Sequence, residues 1–141
     1  MKILVISGAN LNKLGSREAI YGGFTLEEMQ RELCEYAKGV QLEFFTSNSE
    51  GAIVDAVQNC DADALIINAG GYSHTSVAIA DALAMLAVPK IEVHLTNILA
   101  REEYRHFSVT GSKCDGVITG LSVDGYKAAI DIIKSIVKLR T

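Results

Sequence analysis

Ile3-Leu4-Val5-Ile6 is an unbroken apolar run that Ser7-Gly8 ends at once. A strand with one wet face alternates apolar and polar residues, whereas a continuous run suits a strand covered on both faces. The run is too short for a secretory signal and reads as a buried strand. Four further runs share its character: residues 40–46, 64–68 (A-L-I-I-N), 90–95 and 116–120 (G-V-I-T-G). Helical patterns separate them. Thr25 with Glu28 forms a capping box ahead of a stripe of Leu26, Met29, Leu33 and Tyr36–Ala37. Residues 52–60 carry Ile53, Ala56 and Val57 at helical spacing, and residues 77–86 are rich in Ala, Ile and Leu. The last helix spans about 123–138, with Tyr126, Ile130, Ile133 and Val137 on one side and Lys134 and Lys138 on the polar side.

Five apolar strands alternating with helices predict a three-layer α/β fold, a parallel sheet with helices on both faces. The flavodoxin-like order 2-1-3-4-5 is the topology expected at this length, with all of residues 1–141 in one domain. In such folds ligands sit beyond the carboxyl ends of the strands, where strands 1 and 3 diverge. The segments after Ile6, after Ile67 and at the end of the fourth strand should therefore line the site.

Composition narrows the function. The chain has 141 residues, 49% of them hydrophobic, and a net charge of −4. No basic footprint points to nucleic acid. No apolar stretch approaches the roughly 20 residues of a membrane span. Cys34, Cys60 and Cys114 form no C-x-x-C pair and read as buried, reduced thiols of a cytoplasmic protein.

Three polar segments fall where the fold places its ligand. Ser7 to Gly23 includes Asn10, Arg17 and Tyr21. Asn68 to Ser76 includes His74. Glu92-Val93-His94-Leu95-Thr96-Asn97 is followed by Arg101-Glu102-Glu103-Tyr104-Arg105-His106. Glu92 and His94, two apart on a strand, share a face, so the carboxylate could fix the imidazole tautomer and support its charged form. A tyrosine, with an ordinary pKa near 10, serves as a base only if its phenolate is stabilised, for which Arg17 is a candidate. Each feature has a plainer reading: a histidine capping a loop, an aromatic on a mobile loop, and for His74 a turn residue satisfied by backbone. His106 reads as structural. Asn68 at a strand end argues against a phosphoacceptor receiver. The histidines lack H-x-x-x-H or H-E-x-x-H spacing, so no metal is expected, and no phosphate-loop or dinucleotide motif is present. No Cys falls in the three segments. Lys13 is their only lysine, which leaves a Schiff base little support.

Together these segments resemble the type II 3-dehydroquinate dehydratase family. The matching blocks are Gly8-Ala9-Asn10-Leu11-Asn12 with Leu14-Gly15-Ser16-Arg17-Glu18 and Ile20-Tyr21-Gly22; Ser47-Asn48-Ser49-Glu50-Gly51; and Asn68-Ala69-Gly70-Gly71-Tyr72-Ser73-His74-Thr75-Ser76. The run from Glu92 to Arg105 follows, then Gly116 to Gly120 with Gly125-Tyr126. Five blocks in order cover nearly the whole chain. The resemblance implies dehydration of 3-dehydroquinate in the shikimate pathway, with aromatic biosynthesis as the default setting. Tyr21 would take a proton from carbon 2, with Arg17 over it favouring phenolate. Asn10 would hold a water against the enolate oxygen. His94, oriented by Glu92, would protonate the departing carbon-1 hydroxyl. Asn68, His74 and Arg105 would bind ring hydroxyls, and the substrate carboxylate would rest on the amides of Leu95 and Thr96. Asp81 resembles a residue that reaches into a neighbour's site within a homododecamer built from trimers. No cofactor, metal or Schiff base is implied. The alternatives are a flavodoxin-like module for a flavin or nucleotide, and an inactive homologue.

The sequence departs from the family pattern at four places. Ala9 and Ala69 replace prolines, and the bond before Ala69 is expected to be trans, because a non-proline cis bond costs about 2.5–4 kcal/mol. Ser49 replaces a histidine. Arg17 and Tyr21 are four apart where relatives space them by five, which shortens the reach of the chain by up to about 3.5 Å. Either the flanks adjust or Arg17 meets Tyr21 differently, and residues 15–23 are expected to form a more mobile lid than usual.

Overall fold

In the computed structural model, which describes residues 1–140, the elements run β1 (Lys2–Ser7), α1 (Leu26–Tyr36), β2 (Gln41–Thr46), α2 (Glu50–Gln58), β3 (Ala64–Asn68), α3 (Val77–Met85), β4 (Lys90–His94), β5 (Gly116–Thr119) and α4 (Val123–Arg140). All strand pairs are parallel and the sheet order is β2-β1-β3-β4-β5. The flavodoxin-like order expected from the sequence is the one found.

The continuous apolar runs divide their residues between two cores. Ile3 and Val5 of β1, with Ala64 and Ile66 of β3, face the side covered by Leu26, Met29 and Leu33 of α1 and by Tyr126, Ala129, Ile130 and Ile133 of α4. Leu4 and Ile6, with Leu65 and Ile67, face the opposite side, covered by Ile53 and Val57 of α2 and Ile79, Ala82 and Leu83 of α3. Successive side chains of a strand point to opposite faces, so a strand between two helical layers must be apolar at every position. Each fully buried Ile or Leu contributes about 1.5–3 kcal/mol relative to exposure. At the sheet edge, β2 buries less and its sequence mixes Gln41 and Glu43 with Leu42, Phe44 and Phe45.

Local signals set the boundaries. The capping box at Thr25 is present in both directions: the Thr25 hydroxyl accepts from the Glu28 amide at 3.1 Å, and Glu28 accepts from the Thr25 amide at 3.2 Å. Ser49, at the position of the family's histidine, caps α2 by accepting from the Ala52 amide at 3.2 Å, so that helix begins earlier than expected. Two expectations need correction. Tyr36 closes the apolar stripe of α1 in sequence, yet its ring is exposed and its hydroxyl donates to Asp131 of α4 at 2.6 Å. The cysteines are free but not buried. Cys34 follows buried Leu33 on α1, and one helical step of about 100° turns it toward solvent, while Cys60 and Cys114 are half-buried.

The carboxyl ends of β1 and β3 approach closely. The Gly8 amide donates to the Asn68 carbonyl at 2.7 Å, and a Cβ at Gly8 would lie 2.3 Å from the Ala69 carbonyl oxygen. Gly70, at φ +65°, holds the reciprocal position against Ala9, where a Cβ would meet its carbonyl oxygen at 2.5 Å. Only glycine fits this crossing. The Asn68–Ala69 bond is trans. Both alanines thus occupy a tightly packed junction that orients the two loops.

Candidate active site

Beyond β1, β3 and β4 lies a cavity of about 120 Å³, lined among others by Asn10, Arg17, Tyr21, Asn68, His74, His94, Leu95, Thr96, Arg101 and Arg105. A larger groove of about 590 Å³ runs between α1 and the start of α4, but Glu28, Glu32, Glu35 and Asp124 line it and none of the three polar segments reaches it. The smaller cavity is where two histidines, a tyrosine and three arginines converge.

His94 lines this cavity and Glu92 lies behind, the two ending β4 on one face. Glu92 is wholly buried and His94 is 5% exposed, with His94 Nε2 2.8 Å from Glu92 Oε2. Burial pushes the Glu92 carboxyl upward, but hydrogen bonds from His94, Ser108 and Thr110 and the charge of His94 outweigh it and hold the carboxyl below its ordinary value. A carboxylate only accepts, so Nε2 carries its hydrogen and Nδ1 is the ring atom left to serve the cavity. His74 stacks beside His94 with ring centroids 6.0 Å apart. Its Nδ1 donates to the Phe107 carbonyl at 2.9 Å, which leaves Nε2 for a ligand. The backbone-satisfied turn residue and the cavity residue are thus the same side chain.

The loop after β1 folds over the cavity. Leu11 and Leu14 anchor it in the core, and a short 3-10 turn, Ala19–Tyr21, brings Tyr21 down until its side chain is buried. The Arg17 guanidinium lies 3.9 Å from the centroid of the Tyr21 ring, so the shortened spacing still lets Arg17 cover it. Arg101 approaches the same ring at 5.0 Å. Arg105 is held above its ordinary value: burial pulls it down, but the Glu102 carboxylate, 2.7 Å away, and the charge of Tyr21 more than offset this. Two guanidinium groups therefore lie against one phenol, and Arg105 lines the same cavity.

The remaining polar residues are held by both side-chain and backbone partners. Asn10, at φ 69°, donates its amide to Asn48 Oδ1 at 2.8 Å. Asn68 accepts from the Gly70 amide at 3.1 Å and donates Nδ2 to the buried Tyr126 hydroxyl at 3.3 Å. Leu95 and Thr96 line the wall after β4, and Thr96 Oγ1 accepts from Arg101 at 3.2 Å. Asp81 does not line this cavity; it is exposed on α3. His106 donates to the Arg101 carbonyl at 2.8 Å, in keeping with a structural part. Sequence reasoning gave Arg101 no role, although it stands in the quoted block, because its meeting with Tyr21 joins loops eighty positions apart. Among the described residues, no three His, Cys, Asp or Glu side chains gather where they could hold a metal ion, and no helix is long and apolar enough to cross a membrane.

A parallel α/β sheet of this order, with a carboxylate-backed histidine and an arginine-flanked tyrosine lining one cavity beyond its strand ends, defines a flavodoxin-like α/β protein. The model of the family described as "Dehydroquinase class II" matches residues 1–134, and the chain belongs to that family. It is 47% identical over 139 residues to a 3-dehydroquinate dehydratase of Thermotoga neapolitana, covering 96% of each chain. It is 53% identical over 136 residues to one of Helicobacter hepaticus, covering 92% of this chain and 86% of the other. Its fold matches the crystal structure of a type II dehydroquinase from Butyrivibrio crossotus with a TM-score of 0.92 and 47% identity, over 95% of this chain and 97% of that one.

Proposed function

We propose that this chain converts 3-dehydroquinate to 3-dehydroshikimate by loss of water, in the biosynthetic shikimate pathway. The observation that carries the reading is the convergence on one cavity of Tyr21, flanked by Arg17 and Arg101, and of His94, backed by Glu92. Loss of water beta to a ketone needs a base at the alpha carbon, charge stabilisation for the enolate and an acid at the leaving group. The Tyr21 phenolate takes the carbon-2 proton, and a phenolate there lies among positive charges. The electron pair passes into the enolate, whose oxygen is stabilised through a water on Asn10. The enolate then expels the carbon-1 hydroxyl, which leaves as water with a proton from His94. Glu92 supports the imidazolium in the step before. Asn68, His74 and Arg105 bind ring hydroxyls, and the amides of Leu95 and Thr96 take the carboxylate. After the product leaves, Tyr21 gives its proton to solvent and His94 takes one up, so each turn closes with these side chains and water and uses no cofactor.

The assembly proposed is a homododecamer, a tetramer of trimers. Asp81 would then complete a neighbour's site, since it is exposed and remote from its own cavity. It shares one face of α3, at steps of four, with Val77 and Met85, which are 61% and 71% exposed and suit contact with a second copy. Free cysteines suit the reducing cytoplasm, the proposed compartment.

The test is direct. Protein mixed with 3-dehydroquinate should generate the ultraviolet absorbance of the conjugated product, insensitive to chelator and to borohydride. Tyr21→Phe should nearly abolish turnover while substrate still binds by calorimetry. Full activity in that variant would remove Tyr21 as the base.

A further inference from the structure

Glu92 is wholly buried, and a buried carboxylate without partners takes up a proton rather than keep its charge. His94 is only one of its partners. The Ser108 hydroxyl lies 2.5 Å from Oε2, the oxygen that also accepts from His94, and the Thr110 hydroxyl donates to Oε1. Ser108 and Thr110 belong to the segment before β5, and neither lines the cavity. They cannot touch a ligand there, yet both end on the group that orients His94.

The segment is built for this contact. Its backbone is tied to the turn after β3, where the Val109 amide donates to the Ser73 carbonyl at 2.8 Å. The Gly111 amide donates to Ser108 Oγ at 2.9 Å and occupies one of its lone pairs. The single Ser108 proton has other acceptors in reach, the Ser73 carbonyl at 3.3 Å and Thr110 Oγ1 at 3.2 Å. It goes to Glu92, because an ionised acceptor at the shortest distance makes the strongest bond. Gly111 has to be glycine, since a Cβ there would stand 2.8 Å from Glu92 Oε2 and 3.0 Å from Ser108 Oγ. The result is a directed chain: Gly111 N–H to Ser108, Ser108 O–H to Oε2, Thr110 O–H to Oε1, and His94 Nε2–H to Oε2.

We propose that Ser108 and Thr110 are positioning residues that hold both oxygens of Glu92, so that His94 keeps one tautomer and presents Nδ1 to the cavity. The inference rests on the reading of His94 as the acid. Without the two hydroxyls the carboxylate is free to turn or to take up a proton, and the acceptor that fixes Nε2–H is lost for part of the time.

Variants and ring spectra test this together. With 3-dehydroquinate as substrate, Ser108→Ala and Thr110→Val each lower kcat about tenfold and the double variant about a hundredfold, with KM within about twofold, the size usual for partners that orient a functional imidazole. Thr110→Ser keeps the hydroxyl and holds kcat within about twofold of wild type. Independently of substrate, 15N spectra of protein labelled in its three histidine rings read the tautomer. At a pH where the ring is neutral, wild-type His94 shows a protonated Nε2 and a bare Nδ1, the nitrogen that takes up the acid's proton when the ring is charged, and in the variants the two signals draw together. Unchanged kcat and unchanged His94 signals in folded Ser108→Ala protein overturn the proposal. Thermal melts identify folded variants, and if Thr110→Val fails to fold, the half-buried Ser108 position carries the test. If wild-type protein does not turn over 3-dehydroquinate, the proposed function falls, and the ring spectra still decide the positioning role.

Discussion

Replacing Glu92 with glutamine should separate what its charge does for catalysis from what its shape does for stability. In wild type the carboxylate, inaccessible to solvent, accepts hydrogen bonds from His94, Ser108 and Thr110. Glutamine has nearly the same volume. Its amide oxygen can replace Oε2 and accept from His94 and Ser108. Its NH₂ then faces Thr110, whose hydroxyl can rotate to accept. No buried polar atom loses its partner, and the desolvation penalty of a buried charge is gone, so stability should change by less than about 1 kcal/mol. Catalysis should suffer, because the imidazolium loses a counter-charge 2.8 Å away. Coulomb's law at an effective dielectric of about 20 bounds the loss near 6 kcal/mol, and charge-assisted hydrogen bonds contribute about 1.5–3 kcal/mol in practice. Taking about 3 kcal/mol, kcat falls roughly 150-fold. Glu92 does not line the cavity, so KM should stay within about threefold. The assay is the ultraviolet progress curve with 3-dehydroquinate, alongside a thermal melt. A folded Glu92→Gln protein with kcat within about threefold of wild type would refute the claim that this charge supports the acid. A rise in KM matching the fall in kcat would instead make Glu92 a binding residue.

Glu92 should also shape the response to acid. Its folded carboxyl is held below the ordinary value of 4.5, so its contribution to stability is present above that value and is lost as pH falls through the folded value. Urea midpoints from pH 6 downward should therefore fall more steeply for wild type than for Glu92→Gln, and parallel curves would count against it. Tyr126→Phe removes the hydroxyl that receives Asn68 Nδ2, leaving a buried donor unpaired. Stability should drop by about 1–3 kcal/mol and KM should rise severalfold, read by denaturation and initial rates. Mixing Asp81→Ala protein with Tyr21→Phe protein should restore some activity after subunit exchange if sites are shared, whereas no recovery after confirmed exchange would argue that each chain works alone.

The secondary structure and its order along the chain were legible in the residues because their signals are local. A run such as Ile3–Ile6 declares two covered faces, and Thr25 with Glu28 marks a helix start within four positions. Glu92 and His94 belong together because a strand brings every second residue to the same face, and that pairing needs no knowledge of the rest of the chain. Helical periodicity misled at Tyr36, since it indicates which side of a helix is apolar and not how far the neighbouring helix extends over it, and the buried reading of Cys34 rested on cysteine usage, which says nothing of the helix face it occupies. Tertiary structure alone decided the meeting of Arg101 with Tyr21, the grip of Ser108 and Thr110 on Glu92, and the bond from Asn68 to Tyr126. These contacts join segments whose distance depends on sheet order and loop closure, and neither spacing nor composition carries that information. The sequence by itself thus determined the fold, the place of the cavity and its Glu92–His94 pair. The folded chain decided which charges and hydroxyls, drawn from distant loops, surround that pair and the tyrosine opposite it.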